Sequence, residues 1–183
     1  MASVLIPLAQ GCEELEAVTC IDLLRRAGIT VTTAGLDAQP VIASRGVTLV
    51  PDTTLDKALE EEYDMVVLPG GLPGADYLDR DQRIQILLKK MANSDKFTAA
   101  ICAAPKVLAS AGLLEGKRAT AYPGTLERLN LANTTLASEA VVKDGKIITS
   151  RGPGTAMDFA LALIDTLVGI EKRKEVEAGL VRA

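Results

Sequence analysis

The sequence predicts an α/β protein built on a mostly parallel sheet with helices on both faces. Short β-rich runs alternate with helical ones along the whole chain. Three small-residue junctions, AQGCEELE, LPGGLPGA and ICAAP, each end an apolar run. No linker, composition break or internal repeat divides the chain, and 183 residues suit one domain, 1-183, with a full hydrophobic core.

SVLIPLA reads as an apolar strand that stops near Gln10-Gly11. EELEAVTCIDLLRRAG reads as a helix, with Leu15, Val18, Ile21, Asp22 and Arg25 at helical spacing and apolar residues chiefly on one side. Acids lead it, arginines trail it, and Gly28 suits the C′ position. TVTTAG is a second strand, and PVIASRGVTLVPD a β-hairpin turning near Arg45-Gly46. TTLDKALEEE reads as a short helix capped by Asp52 or Thr53. YDMVVLPGG is a buried strand halted at Pro-Gly-Gly, and DQRIQILLKKMANS an amphipathic helix. FTAAIC is a further strand, and APKVLASAG a short helix closed by Gly112. RATAYPG is a candidate strand, and TLASEAVVKDGKIITSRG reads as strands turning at Asp144-Gly145. GPGTAMDFALALIDTLVG is a long apolar-faced helix between Pro153 and Gly169, and IEKRKEVEAGLVRA a polar terminal helix.

Composition removes several classes of function. The net charge of -4 and the lack of any basic run give no nucleic-acid signal. MASVLIPLAQ has no basic n-region, and no stretch reaches the roughly 18 apolar residues that span a bilayer. Cys12, Cys20 and Cys102 are odd in number and lack metal-ligand spacing, so they read as free thiols in a reducing cytoplasm. The chain has no histidine, which excludes Cys–His, Ser–His–Asp and His-metal schemes even between identical copies. No P-loop is present, and no metal or cofactor is predicted. Any cysteine chemistry must therefore take its protons from a carboxylate, lysine, tyrosine or water.

A parallel sheet binds ligands beyond the carboxyl ends of its strands, and this one would gather the three junctions on that edge. Cys102 closes an apolar run among Ala100, Ala103 and Ala104. Small neighbours suit a nucleophile elbow, and a following helix start favours a thiolate. They suit a small buried thiol equally well. Glu13, Glu14 and Glu16 suit the first turn of a helix, where acids complement the dipole. Glu16, one turn past the strand end, is also a candidate proton carrier for Cys102. The LPGG amides could stabilise an oxyanion or merely form a turn. Arg45 and Arg151 are candidate anion contacts or plain surface arginines.

GCEELEA, IDLLRRAGI, SRGV, YDMVVLPGG, AAICAAP, SRGPGTAMDFAL and LVG follow one another in the order found in the ThiJ/PfpI family. The chain most resembles the branch of the Parkinsonism-associated deglycase and YajL, over residues 3 to 181. The resemblance implies a flavodoxin-like three-layer sandwich, similar to class I glutamine amidotransferases, that forms a homodimer. It makes Cys102 the nucleophile and Glu16 the acid whose protonated carboxyl bonds the sulfur. Gly70, Gly71 and the elbow amide of Ala103 would face the substrate oxygen, with Arg45 and Arg151 near the site and the dimer interface. The implied activity is a cofactor-free glyoxalase or protein deglycase acting on 2-oxoaldehydes such as methylglyoxal or on glycated proteins. The alternative is a redox-sensing holdase chaperone with an oxidisable Cys102. Tyr122 stands where some relatives carry a histidine, which rules out a Cys–His protease. Val50 stands where the animal protein has a peripheral cysteine, so no redox role transfers there. The electrostatic expectation is a depressed Cys102 thiol beside a raised Glu16 carboxyl.

Overall fold

The computed structural model describes residues 1–182. Seven strands form the central sheet: β1 (Ser3–Leu8), β2 (Thr30–Gly35), β3 (Thr53–Thr54), β4 (Met65–Leu68), β5 (Phe97–Ile101), β6 (Val141–Asp144) and β7 (Ile147–Ser150). Their order is β6-β7-β5-β4-β1-β2-β3. All neighbours pair parallel except the β6–β7 hairpin. From β1 the chain winds outward through β2 and β3, then returns to β4 on the other side of β1. The crevice between the carboxyl ends of β1 and β4 is therefore the topological switch point, where such sheets place their ligands.

Alternation along β1 feeds both faces. Val4, Ile6 and Leu8 join one core cluster and Leu5 the other. The first cluster is closed by α1 (Glu14–Arg26) and α6 (Ala156–Val168), the two most extensively packed helices, with α7 (Ile170–Gly179) contributing Val176. The second takes Leu55 and Ala58 from α2 (Leu55–Ala58) and Leu78 from α3 (Gly74–Arg80). It also takes Ile84 and Leu88 from α4 (Gln82–Asn93) and Val107 and Leu108 from α5 (Pro105–Ser110). Phe159 fills the first core completely buried. The result is the predicted three-layer sandwich.

Three local expectations are corrected, and one helix was not anticipated. The stripe chosen for α1 is largely its outward face: Leu15 is 50% and Val18 45% exposed. The inward face is Glu14, Glu16, Ala17, Cys20, Leu23 and Leu24, so two carboxylates occupy positions that a hydrophobic pattern assigns to solvent. Asp52 and Thr53 do not cap α2. Thr54 is the N-cap residue and no side chain bonds there, while Asp52 accepts from the Thr33 amide and hydroxyl and from Arg25. Helix α3 escaped the pattern because its seven residues bury only Gly74, Ala75 and Leu78. RATAYPG supplies only Arg118–Ala119, paired parallel with Thr135–Leu136 outside the main sheet. The hairpin of Val41–Ile42 with Thr48–Leu49 forms as expected around Arg45-Gly46.

Candidate active site at the switch point

The strand β5 ends at Ile101, and Cys102 turns out of it with φ 64°. That left-handed conformation is unusual for a residue with a side chain and is sustained only where the surroundings hold it. Here they do. The Cys102 amide donates to Ser150 O at 3.0 Å, and its carbonyl accepts from the Tyr122 amide at 2.9 Å. Ala103 and Ala104 are buried and small, and Pro105 opens α5 immediately afterwards. The alanine-walled cysteine is thus a strand-to-helix elbow. Its residue remains 9% exposed, whereas Cys12 and Cys20 are sealed in the core. Burial pushes the Cys12 thiol up to about 12 and raises Cys20 as well, which keeps both inert.

Glu16 projects inward from the first turn of α1 and is completely buried. Its Oε2 accepts the Gly70 amide at 2.8 Å, and its Oε1 has no hydrogen-bond partner. Burial raises its carboxyl to about 7, against lowering hydrogen bonds from Gly70 and Cys102. The sequence expectation of a raised Glu16 therefore matches the structure's electrostatics. The expectation for the thiol does not. Burial first, then the facing Glu16 charge and its hydrogen bond, push Cys102 up to about 12. The amides of Gly71 and Ala103 work in the opposite direction. The elbow alone does not depress this thiol while Glu16 is ionised.

The glycines separate into two roles. A Cβ on Gly70 would lie 2.7 Å from the Cys102 Cβ and 2.8 Å from Glu16 Oε2, so no side chain fits there. Its amide is committed to Glu16, which corrects the expectation that it faces a substrate oxygen. Gly71, at φ 86°, directs its amide to the sulfur, as does Ala103. A positive φ and the close backbone of residues 11–13 leave only glycine room at position 71.

Above the sulfur opens a cavity of about 680 Å³ whose walls include Cys102, Gly71, Arg45, Lys106, Tyr122 and Arg128, with Ala103 beside them. Arg45 reaches it from the hairpin, whose backbone is tied to α1: the Arg45 amide donates to Glu14 Oε1 at 2.9 Å. Against desolvation, its own backbone amide, the Ser44 hydroxyl and the Val47 and Arg45 amides hold the Glu14 carboxyl below the usual range. Arg151 does not line this cavity. Its guanidinium donates to Ser138 O at 2.9 Å and faces a neighbouring hollow beside Glu127. Lys106 and Arg128 were missed from sequence. Lys106 lies one helical turn after Cys102, a spacing that points to the same end of α5. Arg128 sits in a short 3₁₀ segment, Glu127–Leu129, where no periodicity marks it. No cluster of potential metal ligands occurs among the described residues, and no described helix is long and apolar enough to cross a membrane.

A doubly wound sheet with a strained cysteine elbow at its switch point, backed by a buried acid, defines an α/β protein of the flavodoxin-like, amidotransferase-like class. Within that class the chain belongs to the DJ-1/PfpI family, whose profile matches residues 2–166. It is 45% identical over 182 residues to Protein dj-1beta of Drosophila melanogaster, covering 99% of this chain and 97% of that protein. The crystal structure of Drosophila melanogaster DJ-1beta superposes with a TM-score of 0.95 at 44% identity, covering 100% of this chain and 98% of the other. A further relative, 35% identical over 171 residues, is the glutathione-independent glyoxalase DJR-1.2 of Caenorhabditis elegans, with 93% and 90% of the two chains covered.

Proposed function

We propose that the chain is a cofactor-free glyoxalase and protein deglycase that uses Cys102 as nucleophile and Glu16 as acid–base on 2-oxoaldehydes or their early protein adducts. The observation that carries this reading is the pair itself: a thiol on a strained elbow against a fully buried carboxyl raised to about 7. A group near neutrality is suited to proton transfer at neutral pH. The relative DJR-1.2, named a glutathione-independent glyoxalase, supports the same chemistry.

The Cys102 thiolate adds to the aldehyde carbon and forms a hemithioacetal, its oxyanion received by the Gly71 and Ala103 amides. Glu16 moves a proton from that carbon to the adjacent carbonyl carbon through an enediolate. The oxidised carbon is now a thioester and the reduced one an alcohol, so no external electron acceptor is needed. Water cleaves the thioester, releasing a hydroxy acid and the thiol. From methylglyoxal the product is lactate. From an early adduct, a hemiaminal or hemithioacetal, the side chain leaves first: its bond to the former aldehyde carbon breaks as the hydroxyl re-forms the carbonyl and gives up its proton to the departing atom, and the freed aldehyde then follows the same steps. Three free thiols suit a reducing compartment such as the cytoplasm.

Lactate formation from methylglyoxal in amine-free buffer tests the reading. Cys102→Ala should fall to background, and Glu16→Gln should lose roughly 10²–10⁴-fold in kcat. Undiminished turnover in Cys102→Ala would remove the proposal. A second reading, a redox-sensing holdase, is favoured by one observation: among the three cysteines Cys102 alone opens to the cavity. Two molecules of hydrogen peroxide would convert its thiolate to the sulfinate with release of two waters, and on this reading client protection survives in Glu16→Gln while turnover is lost.

A further inference from the structure

The cavity over Cys102 is larger and more cationic than a three-carbon aldehyde requires. Its volume of about 680 Å³ is in the range that encloses drug-sized ligands. Arg45, Lys106 and Arg128 line it against a single carboxylate, Glu13. That carboxylate already accepts the Ser44 hydroxyl at 2.8 Å. Arg45 and Arg128 enter no ion pair among the described residues. The Lys106 ammonium is fixed by Asp76, which lies outside the cavity wall, so its position at the cavity is held rather than floppy. The Arg128 guanidinium lies against Gly124, 3.5 Å from where a Cβ would stand, in the 122–125 loop that walls the same space. Two unpaired guanidiniums and an anchored ammonium around one hollow make a receptor for an oxyanion.

We propose that this site takes an aldehyde whose tail carries a compact anionic group, carboxylate or phosphate, bound by Lys106 and Arg128 while its carbonyl meets Cys102. The inference rests on the reading of Cys102 as the reactive nucleophile and adds to it the class of substrate. The anionic tail, not the reacting carbonyl, would then supply the affinity, and a neutral aldehyde such as methylglyoxal would use only the inner part of the cavity.

Alkylation of Cys102 separates this inference from the proposed reaction, because it needs no turnover. Iodoacetate and iodoacetamide both transfer a two-carbon group to sulfur with loss of iodide, and differ in carrying a carboxylate or a neutral amide. The neutral reagent corrects for any change in thiol reactivity, so the ratio of the two rates, read on the Cys102 peptide by mass spectrometry, reports recognition of the anion. In the full chain that ratio should exceed that of free cysteine, fall about five- to tenfold in Lys106→Gln/Arg128→Gln, and fall about two- to threefold in the exposed single variant Arg128→Gln. Acetate and inorganic phosphate should each slow iodoacetate labelling of the wild type, and the stronger competitor identifies the preferred oxyanion. A ratio equal in wild type and both variants, or no competition by either anion at tens of millimolar, overturns the inference. If lactate formation fails but the ratio behaves as stated, the anion site survives and the reaction does not.

Discussion

At the scale of single residues the central question is where Cys102 and Glu16 keep their shared proton. The two are coupled: the Glu16 charge and its hydrogen bond raise the thiol, and the hydrogen bond from Cys102 lowers the carboxyl. Glu16 is fully buried, has one oxygen without a partner, and receives a single amide on the other. The sulfur opens to a cavity with three cationic side chains and is approached by the amides of Gly71 and Ala103. Burial opposes a charge on either group, but only the sulfur has the cavity and those two amides to receive one. Burial is the first cause of the raised thiol and the facing Glu16 charge the second; with the proton on Glu16 that second cause disappears and those amides remain. Cys102 and Glu16 could be singled out in the sequence by their positions after strand ends, but not this division of labour. Whether Gly70 serves the acid or the substrate depends on amide directions that no motif encodes.

The raised carboxyl also carries a stability signature. Folded Glu16 keeps its proton up to about 7, whereas in the unfolded chain it is lost near the ordinary 4.5. Between those values the folded state binds more protons, so this group's contribution to stability declines as pH rises through the window. The whole shift is on the order of 3 kcal/mol. Urea unfolding of wild type and Glu16→Gln at pH 4.5 and pH 8 should show the wild type losing about that much relative to the variant. A difference independent of pH would mean that Glu16 titrates normally.

Among the elements, α1 shows how function distorts a pattern. A helix whose core face contains Glu14 and Glu16 cannot be read from hydrophobic periodicity, because the carboxylates turn inward to accept backbone amides from distant segments. Its outward Leu15 and Val18 are left to solvent. Exposed Ile42, Val47 and Val50 sit on and beside the hairpin, which Glu14 ties to the same helix. We propose that these exposed apolar side chains form the contact between two copies in a homodimer. Sedimentation at micromolar concentration should give a two-chain mass for the wild type and a one-chain mass for Leu15→Glu/Val18→Glu. A wild type that sediments as a single chain would overturn this assignment. Elements with ordinary roles were easier to read: α4 has its amphipathic stripe and an Asp81 cap that accepts the Arg83 amide, and α6 runs from a proline-led turn to Gly169.

For the whole molecule, the alternation of strands and helices was enough to specify a parallel sheet, and that sheet brings the Gly11, Gly70 and Cys102 junctions to one edge. The strand order, and hence the switch point between β1 and β4, follows from packing across the chain and is invisible locally. So is the region from residue 118 to 139, where short irregular pieces with little apolar period form part of the cavity wall. The proposed mechanism requires the sulfur to give up its proton near neutral pH while Glu16 holds one. The thiolate absorbance near 240 nm, recorded from pH 4 to 11 with the Cys102→Ala signal subtracted, tests this most directly. The account predicts that the thiolate appears with a midpoint below the ordinary thiol value of about 8.5. A sulfur that stays protonated until pH 10 or above, with Glu16 ionised first, would contradict it.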